Sequence, residues 1–286
     1  MSTQPLDPDQ YKKSRLQAWD AAAPAWQQWS NVWDEATQHI SDRLIEIADI
    51  QAGQHVLDIA TGLGEPAVSA ARRVGPTGRV VATDLSPGML KLARQRAAAM
   101  DIENIEFRQI DAEELDFQGE EFDAVLSRWG VQEFPEISVA LQKIYQHLSP
   151  GGRLAVAVWA TPAEVPFLSV PSRIIRQLFD VPAPPPGTPT PFDLGKETKV
   201  VDVFAQAGFD EVEVEKQTVT IEFPSFAGFR AYLEDASPIV RDVLVRQTAE
   251  KQKEAWPAIA EAFEKFTLAD GCLRIPNVTI CTVGRR

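Results

Sequence analysis

Three aspartates and a glycine-rich loop are the residues of this chain whose types and spacing could do chemistry. Asp58, Asp84 and Asp111 each stand at the end of a short apolar run, and Thr61-Gly62-Leu63-Gly64 follows the first of these runs. A glycine loop lets a ligand approach the backbone and presents N–H groups to it. A carboxylate can accept two ribose hydroxyls, an exocyclic amine or a cationic amine. The set therefore predicts a site for an adenosine ligand with a cationic centre.

The elements that must position these residues alternate between strand and helix from Val56 to Trp159. The apolar runs predicted as strands are Val56–Ile59, Arg79–Asp84, Ile105–Ile110, Phe122–Ser127 and Leu154–Trp159. Residues of helical spacing separate them, and Ser86-Pro87 is typical of a helix cap and first residue. This alternation predicts an α/β fold with a Rossmann-like, doubly wound, mostly parallel sheet that binds its ligand at the carboxyl edge.

The flanking segments predict helical cover and two further strands. We expect an N-terminal helical arm or lid over residues 1–50, a binding core over 51–160, a proline-rich lid excursion over 161–198, and the end of the sheet over 199–286 with a helical lid insertion at about 225–270. Asp210–Phe223 and Leu273–Val283 are predicted as the last two strands. Pro276 lies in the second of these, where it fits only an edge or a bulge.

The arm carries four closely spaced tryptophans, which are Trp19, Trp26, Trp29 and Trp33. They fit two interpretations, a lid over the ligand or simple packing of the arm on the domain. Residues before about Tyr11 are polar and predict disorder. Pro24 predicts a break in the first helix because proline cannot donate a helical hydrogen bond.

Composition argues against several kinds of partner. The net charge of −13 and the pI near 4.8 offer no basic stripe to a nucleic acid or an anionic membrane. No apolar run approaches the roughly 20 residues that span a bilayer, and the first ten residues do not resemble a signal peptide. Cys272 and Cys281 are expected to be unpaired, and three scattered histidines predict no metal site. We expect a cytoplasmic monomer or homodimer that acts on a small molecule.

Two classes of ligand fit the glycine loop. Gly62 to Ala67 matches the dinucleotide fingerprint G-x-G-x-x-A, and Asp84 follows Gly64 by 20 residues, the spacing expected of a ribose-binding carboxylate. A diphosphate beside Asp58 would meet like charge, however. An adenosine without phosphates suits the carboxylates better, and an NAD(P)-dependent oxidoreductase stays the alternative.

The loop also resembles the first motif of the class I S-adenosylmethionine-dependent methyltransferases, an acidic residue followed by G-x-G-x-G. Here it reads Asp58-Ile-Ala60-Thr-Gly62-Leu-Gly64, with alanine where the family usually has glycine. The resemblance continues through Val80–Leu90, Ile110–Phe117, Phe122–Glu136 and Leu148–Trp159. It is similar in particular to the ubiquinone/menaquinone-biosynthesis type, whose arm matches the segment WDAAAPAW. The resemblance implies a seven-stranded sheet with an antiparallel last strand.

The resemblance implies contacts to the methionine end of S-adenosylmethionine from residues at the ends of the first and fourth strands. Asp58 and the backbone at Ala60, Gly62 and Gly64 would hold the methionine moiety. The backbone at Ser127 would meet its amino-acid end. Ala60 is expected to crowd the methionine end slightly, because the family's glycine has no side chain.

The resemblance implies the nucleoside contacts as well. Asp84 would bind the ribose hydroxyls, Asp111 the adenine amine, and the Ala112 N–H a ring nitrogen. Leu85 and Met89 would sandwich the adenine ring, although Met89 equally fits ordinary core packing.

The acceptor should lie beyond the fourth strand, where Trp129 and Gln132 are candidate substrate contacts together with Trp26 of the arm. Trp129 is expected as a wall of the pocket, with core packing as its competitor. Glu133 is a weak candidate for a general base, and a solvated carboxylate at a helix start is its alternative. No metal ligand is predicted.

The sequence thus favours an enzyme that moves a methyl group from S-adenosylmethionine to carbon or oxygen of a small, apolar or aromatic molecule. In-line transfer from a sulfonium needs alignment and exclusion of water more than a protein nucleophile. The alternatives are the oxidoreductase above and a non-catalytic S-adenosylmethionine-binding protein.

Overall fold

The structure is a computed structural model that describes residues 6–286. These residues form a seven-stranded sheet with helices on both faces. The strands are β1 His55–Ile59, β2 Arg79–Asp84, β3 Ile105–Gln109, β4 Phe122–Arg128, β5 Leu148–Trp159, β6 Asp210–Phe223 and β7 Leu273–Arg285. The helices are α1 Pro8–Gln28, α2 Ser30–Ile47, α3 Ala67–Val74, α4 Pro87–Ala99, α5 Ile137–His147, α6 Pro166–Leu178, α7 Glu197–Ala207, α8 Phe226–Ala236 and α9 Ala249–Phe263.

The strand order is β3-β2-β1-β4-β5-β7-β6, and only β7 runs antiparallel to its neighbours. The chain reverses its direction of travel across the sheet between β1 and β4. At such a switch point the connections leave a crevice at the carboxyl ends of the strands. The predicted fold class is confirmed, including the antiparallel last strand.

The core is built by strands that are apolar on both faces. Val56, Leu57 and Ile59 of β1 are almost wholly buried, as is every residue of β5 from Leu154 to Trp159. Right-handed crossovers place α3 and α4 on one face of the sheet and α5 on the other. The face with α3 also carries α2, and α7 packs against α5. The carboxyl ends of the central strands therefore form a rim that helices outside these crossovers can cover.

The first helix differs from its prediction. Helix α1 begins at Pro8, before the limit expected for disorder, while residues 1–5 lie outside the described part of the chain. Pro24 does not break it, and the break comes at Trp29. The Trp19 and Trp26 rings contact each other across the proline with centroids 5.8 Å apart, and this contact holds the two turns in line.

The segment Ser149–Gly152 is a second correction. The sequence Ser149-Pro-Gly-Gly152 is typical of a turn and predicts the end of a helix over Pro135–Leu148, but α5 begins at Ile137 and the segment opens β5 as a bulge. Gly151 takes a φ of 80° there and donates its N–H to the Arg286 carbonyl at 3.0 Å. The last residues of the chain thus pair with a segment whose local sequence is typical of a turn.

Pro276 lies where β7 has a neighbour on one side only. It is opposite Thr220 of β6, whereas β5 ends at Trp159, opposite Thr279. The missing proline N–H therefore falls on a local edge, as predicted. Within residues 6–286, the structure has no helix that is both long and apolar enough to cross a membrane.

Candidate cofactor-binding site

The loop after β1 has a left-handed backbone. Ala60, Gly62 and Gly64 have φ angles of 57°, 56° and 98°. A side chain added at Gly62 would meet nothing within 4 Å, so this part of the loop is open to a ligand. Ala60 holds the same conformation at some cost, because a β-carbon disfavours positive φ. The Ala60 methyl lies close to Gly130, which follows β4.

Asp84 ties this loop to the end of β2. One carboxylate oxygen accepts the Gly62 N–H at 2.9 Å, and the other accepts the Ser86 N–H at 2.9 Å. Burial raises the pKa of Asp84, against the effect of these backbone donors. Each carboxylate oxygen has a second lone pair. The geometry can therefore hold the glycine loop and two ribose hydroxyls together.

Asp58 lies under the same loop and is completely buried. Its Oδ2 accepts the Ala67 N–H at 3.0 Å at the start of α3, while its Oδ1 has no hydrogen-bond partner. Burial raises the pKa of Asp58 to about 7, although the Thr61 hydroxyl and, after it, the Arg128 guanidinium oppose the rise. Glu65, a second buried carboxylate nearby, adds to it. A buried oxygen without a donor fits a cationic amine.

The shifted pKa gives Asp58 a defined effect on stability. Below about pH 4 the carboxyl is protonated in both the folded and the unfolded state. As the pH rises to about 7, the unfolded state loses this proton first, so the free energy of unfolding falls. Asp58→Asn is expected to remove this loss, which amounts to about 4 kcal/mol.

Urea unfolding between pH 4 and 8, with no ligand present, measures this prediction. Asp202→Asn, which alters an exposed carboxylate of α7, is the matched control and should follow the wild-type curve. Asp84 is present in all three proteins and cancels in the comparison. Parallel curves for wild type and Asp58→Asn would contradict the prediction.

Asp111 follows β3 and lies at the same rim. Its Oδ1 accepts the Glu113 N–H at 2.9 Å, and its Oδ2 pairs with Lys12 of α1, also at 2.9 Å. One lone pair of each oxygen remains for an amine. Ala112 and Met89 are buried and Leu85 is half-buried, and these three expected adenine neighbours follow the ends of β2 and β3.

Helix α1 crosses this rim and bonds to the loops after three strands. Asp20 accepts hydrogen bonds from the Ser86 hydroxyl at 2.9 Å and the Gly88 N–H at 2.7 Å, after β2. Lys12 pairs with Asp111 after β3, and Arg15 pairs with Glu133 after β4 at 2.6 Å. The arm therefore lies directly above the predicted nucleoside positions.

The end of β4 carries a buried polar serine, an arginine and a strained tryptophan. The Ser127 hydroxyl donates to the Ile59 carbonyl at 2.9 Å, which joins β4 to β1. Trp129 has a φ of 60°, rare for a bulky residue. Its ring stacks on Trp159 with centroids 4.5 Å apart, and its Nε1 donates to the Thr279 hydroxyl at 3.0 Å. Such held strain concentrates at functional sites.

The other substrate candidates are also in contact with their surroundings. Trp26 lies between Trp19 and Trp33 and remains partly exposed. The Gln132 amide oxygen accepts the Trp159 N–H at 2.9 Å, and the side chain is buried. Glu133 closes a short 3₁₀ turn, not the start of α5, and its carboxylate is bound by Arg15.

Sequence reasoning gave no role to Lys12, Arg15 and Asp20 of the arm, and it placed Arg128 only among the residues after the fourth strand, where the acceptor is expected. The three arm residues look like solvated charges on one helix, and only the fold brings them to the rim. Arg128 had a detectable signal, because a guanidinium two residues after the apolar run Ala124–Leu126 lies at the end of a strand with a buried centre.

Comparison with known proteins identifies the part of the chain that carries this site. Residues 56–152 match the family described as "Methyltransferase domain". This segment is similar to a methyltransferase domain. It contains β1 to β4, the glycine loop and all three rim aspartates. The resemblance found in the motifs is thus confirmed.

Curated relatives of the methyltransferase domain include the ubiquinone/menaquinone biosynthesis C-methyltransferase UbiE of Pseudomonas putida. It is 41% identical over 119 residues, which cover 41% of this chain and 46% of that protein. UbiE of Pseudomonas entomophila is 40% identical over the same shares. The chain thus spans about half the length of the curated relatives it matches.

Solved structures extend the likeness of fold beyond the methyltransferase domain. A putative methyltransferase from Bacillus halodurans has a TM-score of 0.57 at 23% identity, and the match covers 86% of this chain and 97% of that one. The [4+2]-cyclase SpnF has a TM-score of 0.60 at 18% identity, over 99% and 98% of the two chains. At these identities the likeness concerns the fold alone.

Proposed function

We propose that the protein is an S-adenosylmethionine-dependent methyltransferase that acts on a small apolar or aromatic molecule, at carbon or oxygen. The single observation that carries the proposal is that the Asp84 carboxylate accepts hydrogen bonds from the Gly62 and Ser86 N–H groups. These bonds orient the carboxylate so that its remaining lone pairs lie beside the open glycine loop. The methyltransferase domain and the likeness to UbiE support it, whereas the NAD(P)-dependent oxidoreductase has no such support.

The residues fit the cofactor along its length. Asp84 would bind the ribose hydroxyls, Asp111 the adenine amine, and the unpartnered Oδ1 of Asp58 the cationic amine of the methionine moiety. When bound, S-adenosylmethionine supplies a methyl group already activated on a sulfonium. The backbone at Ala60, Gly62, Gly64 and Ser127 would orient the methionine moiety, and Leu85, Met89 and Ala112 would enclose the adenine.

The acceptor is proposed to approach from the side of Val131–Pro135, where an open groove of about 450 Å³ lies beneath the proline-rich excursion. Gln132 and Phe134 line it from one side, and Asp193 and Leu194 from the other. A cavity of this size suits a small molecule. Trp129, strained and stacked on Trp159, does not line this groove and is proposed as a wall beside the transferred methyl group.

Glu133 is proposed to position the arm, since its carboxylate is held by Arg15. We also propose the division into arm (1–50), core (51–160), excursion (161–198) and remaining sheet with helical insertion (199–286). A cytoplasmic monomer or homodimer without a nucleic-acid partner is consistent with two free thiols and a net charge of −13.

The proposal is tested by incubating the protein with S-adenosylmethionine labelled in the methyl group and a panel of phenols, catechols and hydroquinones. Label in an extracted acceptor, with an equal amount of S-adenosylhomocysteine, is the expected result. Binding of the cofactor without transfer to any acceptor in the panel would favour the non-catalytic alternative. The position of the label separates carbon from oxygen methylation.

If the arm is a lid, Asp20→Ala is expected to speed dissociation of S-adenosylhomocysteine by about 3- to 10-fold, since it removes two hydrogen bonds to the loop after β2. Stopped-flow displacement measures the rate. Asp9→Ala removes an exposed carboxylate of the same helix and should leave the rate unchanged. Equal rates for Asp20→Ala and wild type would remove the arm from the closure of the site.

A further inference from the structure

Arg128 is the last residue of β4. Only one of its three guanidinium nitrogens, Nη1, donates hydrogen bonds, and the acceptors of these bonds are uncharged. Its Nη1 donates to the hydroxyls of Thr37 and Ser41 on α2, at 2.9 and 2.8 Å. The guanidinium also lies over the Trp129 ring, 5.3 Å from its centroid. These contacts fix the position of the charge without neutralising it.

Within residues 6–286, Arg128 makes no ion pair with a carboxylate, and its hydrogen bonds all leave from Nη1, including one to the Thr37 carbonyl at 3.3 Å. The nearby guanidinium of Arg96 shows the contrast, because it pairs with Asp34 at 2.9 Å. Burial lowers the pKa of Arg128, and the charges of Glu65 and Asp58 oppose this effect. Arg128 is half-buried, so a guanidinium that hydroxyls fix on one side keeps its other donors open to an anion.

Asp58 provides the opposite charge on the same face of the sheet. It is paired in register with Leu126, two residues before Arg128. Its Oδ1 is buried and accepts no hydrogen bond of good geometry, and the buried Thr61 hydroxyl beside it lowers the pKa of Asp58. The end of β1 thus offers an unsatisfied acceptor, and the end of β4 offers unsatisfied donors.

We propose that Arg128 binds the carboxylate of the cofactor's amino-acid group while Asp58 receives its ammonium, so that the two strand ends form a receptor for a zwitterion. This inference rests on the proposed function and adds a residue to it. The fork of the guanidinium can bind a carboxylate through two parallel hydrogen bonds. The stack of Arg128 on Trp129 also links this receptor to the proposed acceptor wall.

The test compares two ligands that differ in the amino-acid group. S-adenosylhomocysteine carries it, and 5′-methylthioadenosine lacks it but keeps the adenosine. In calorimetric titration at pH 8, Arg128→Met is expected to bind S-adenosylhomocysteine about 10- to 100-fold more weakly than the wild type does. A loss of this size is expected when charge-assisted hydrogen bonds are removed. The affinity for 5′-methylthioadenosine should change by less than about 3-fold. Arg128→Lys should restore only part of the loss, because the ammonium keeps the charge but not the fork.

Arg43→Met is the matched control, because it removes an arginine of α2 that is paired with Glu215, and it should change neither affinity. An equal loss for both ligands in Arg128→Met, or no loss, would overturn the assignment and leave the proposed function standing. Failure of the wild type to bind either ligand would instead reject the proposed function.

A second measurement needs no variant and covers the case in which Arg128→Met does not fold. The decarboxylated analogue of S-adenosylhomocysteine keeps the ammonium and lacks only the carboxylate. Wild-type protein is expected to bind it about 10- to 100-fold more weakly than S-adenosylhomocysteine. Equal affinities would show that Arg128 does not recognise the carboxylate.

Discussion

Asp84→Ala is expected to weaken the binding of S-adenosylhomocysteine by about 100-fold or more. The carboxylate has two tasks, since it holds the Gly62 and Ser86 N–H groups and would accept the ribose hydroxyls. Each hydrogen bond to a charged group contributes about 1.5 to 3 kcal/mol, so two lost ribose bonds account for the size of the effect. Calorimetric titration measures it.

Asp84→Asn separates binding from folding in this experiment. The amide keeps the shape of the side chain and one acceptor oxygen, so its affinity should fall between those of Asp84→Ala and wild type. Asp116→Ala changes an exposed carboxylate after β3 and should bind like wild type. A folded Asp84→Ala protein with wild-type affinity would show that the ribose lies elsewhere.

Gly130→Ala is expected to lower the free energy of unfolding by about 2 to 3 kcal/mol and to weaken cofactor binding more than tenfold. A β-carbon at Gly130 would lie 2.5 Å from the Ala60 β-carbon and 2.7 Å from the Ser127 Oγ. Neither distance is tolerated, so the loop after β1 must shift. Chemical unfolding and titration with S-adenosylhomocysteine measure the two effects.

The geometry predicts a partial rescue by a second substitution. Ala60→Gly removes the atom in closest conflict and also relieves the positive φ of 57° at that position. The double variant should therefore recover part of both losses, as coupled neighbours do. Gly119→Ala, where a β-carbon would meet nothing within 4 Å, should cost only the strain of its positive φ. Additive losses in the double variant would contradict this account of the loop.

The sequence was sufficient to predict the sheet and the rim because the information there is local. Apolar runs, the helix start at Ser86-Pro87 and the glycine loop each define their own element. Once the strands are parallel, Asp58, Asp84 and Asp111 must meet at one edge. The edge position of Pro276 followed in the same way, from a missing N–H.

The arm could not be predicted in the same detail, because its geometry depends on contacts between residues far apart in the chain. Lys12 reaches Asp111 and Arg15 reaches Glu133 only after the strands have assembled. The continuation of α1 through Pro24 is also not predictable from local preference, which favours a break in the helix. We attribute this continuation to the contact between Trp19 and Trp26. Arg128 was visible in the sequence, but its free nitrogens and its closeness to Asp58 were not.

The fold by itself does not decide the reaction. SpnF, named as a [4+2]-cyclase, shares the fold over almost the whole of both chains. One scaffold can therefore serve different chemistries. The methyltransferase proposal depends instead on the residues at the ends of β1, β2 and β4, and each of them is tested by a ligand or a substitution.

Calorimetric titration of the wild-type protein with S-adenosylhomocysteine, and separately with NAD and NADP, tests the central claim most directly. We expect micromolar binding of S-adenosylhomocysteine and no binding of either dinucleotide. Tight binding of NAD or NADP, with none of S-adenosylhomocysteine, would contradict the claim, because the Gly62–Ala67 loop would then hold a diphosphate beside Asp58.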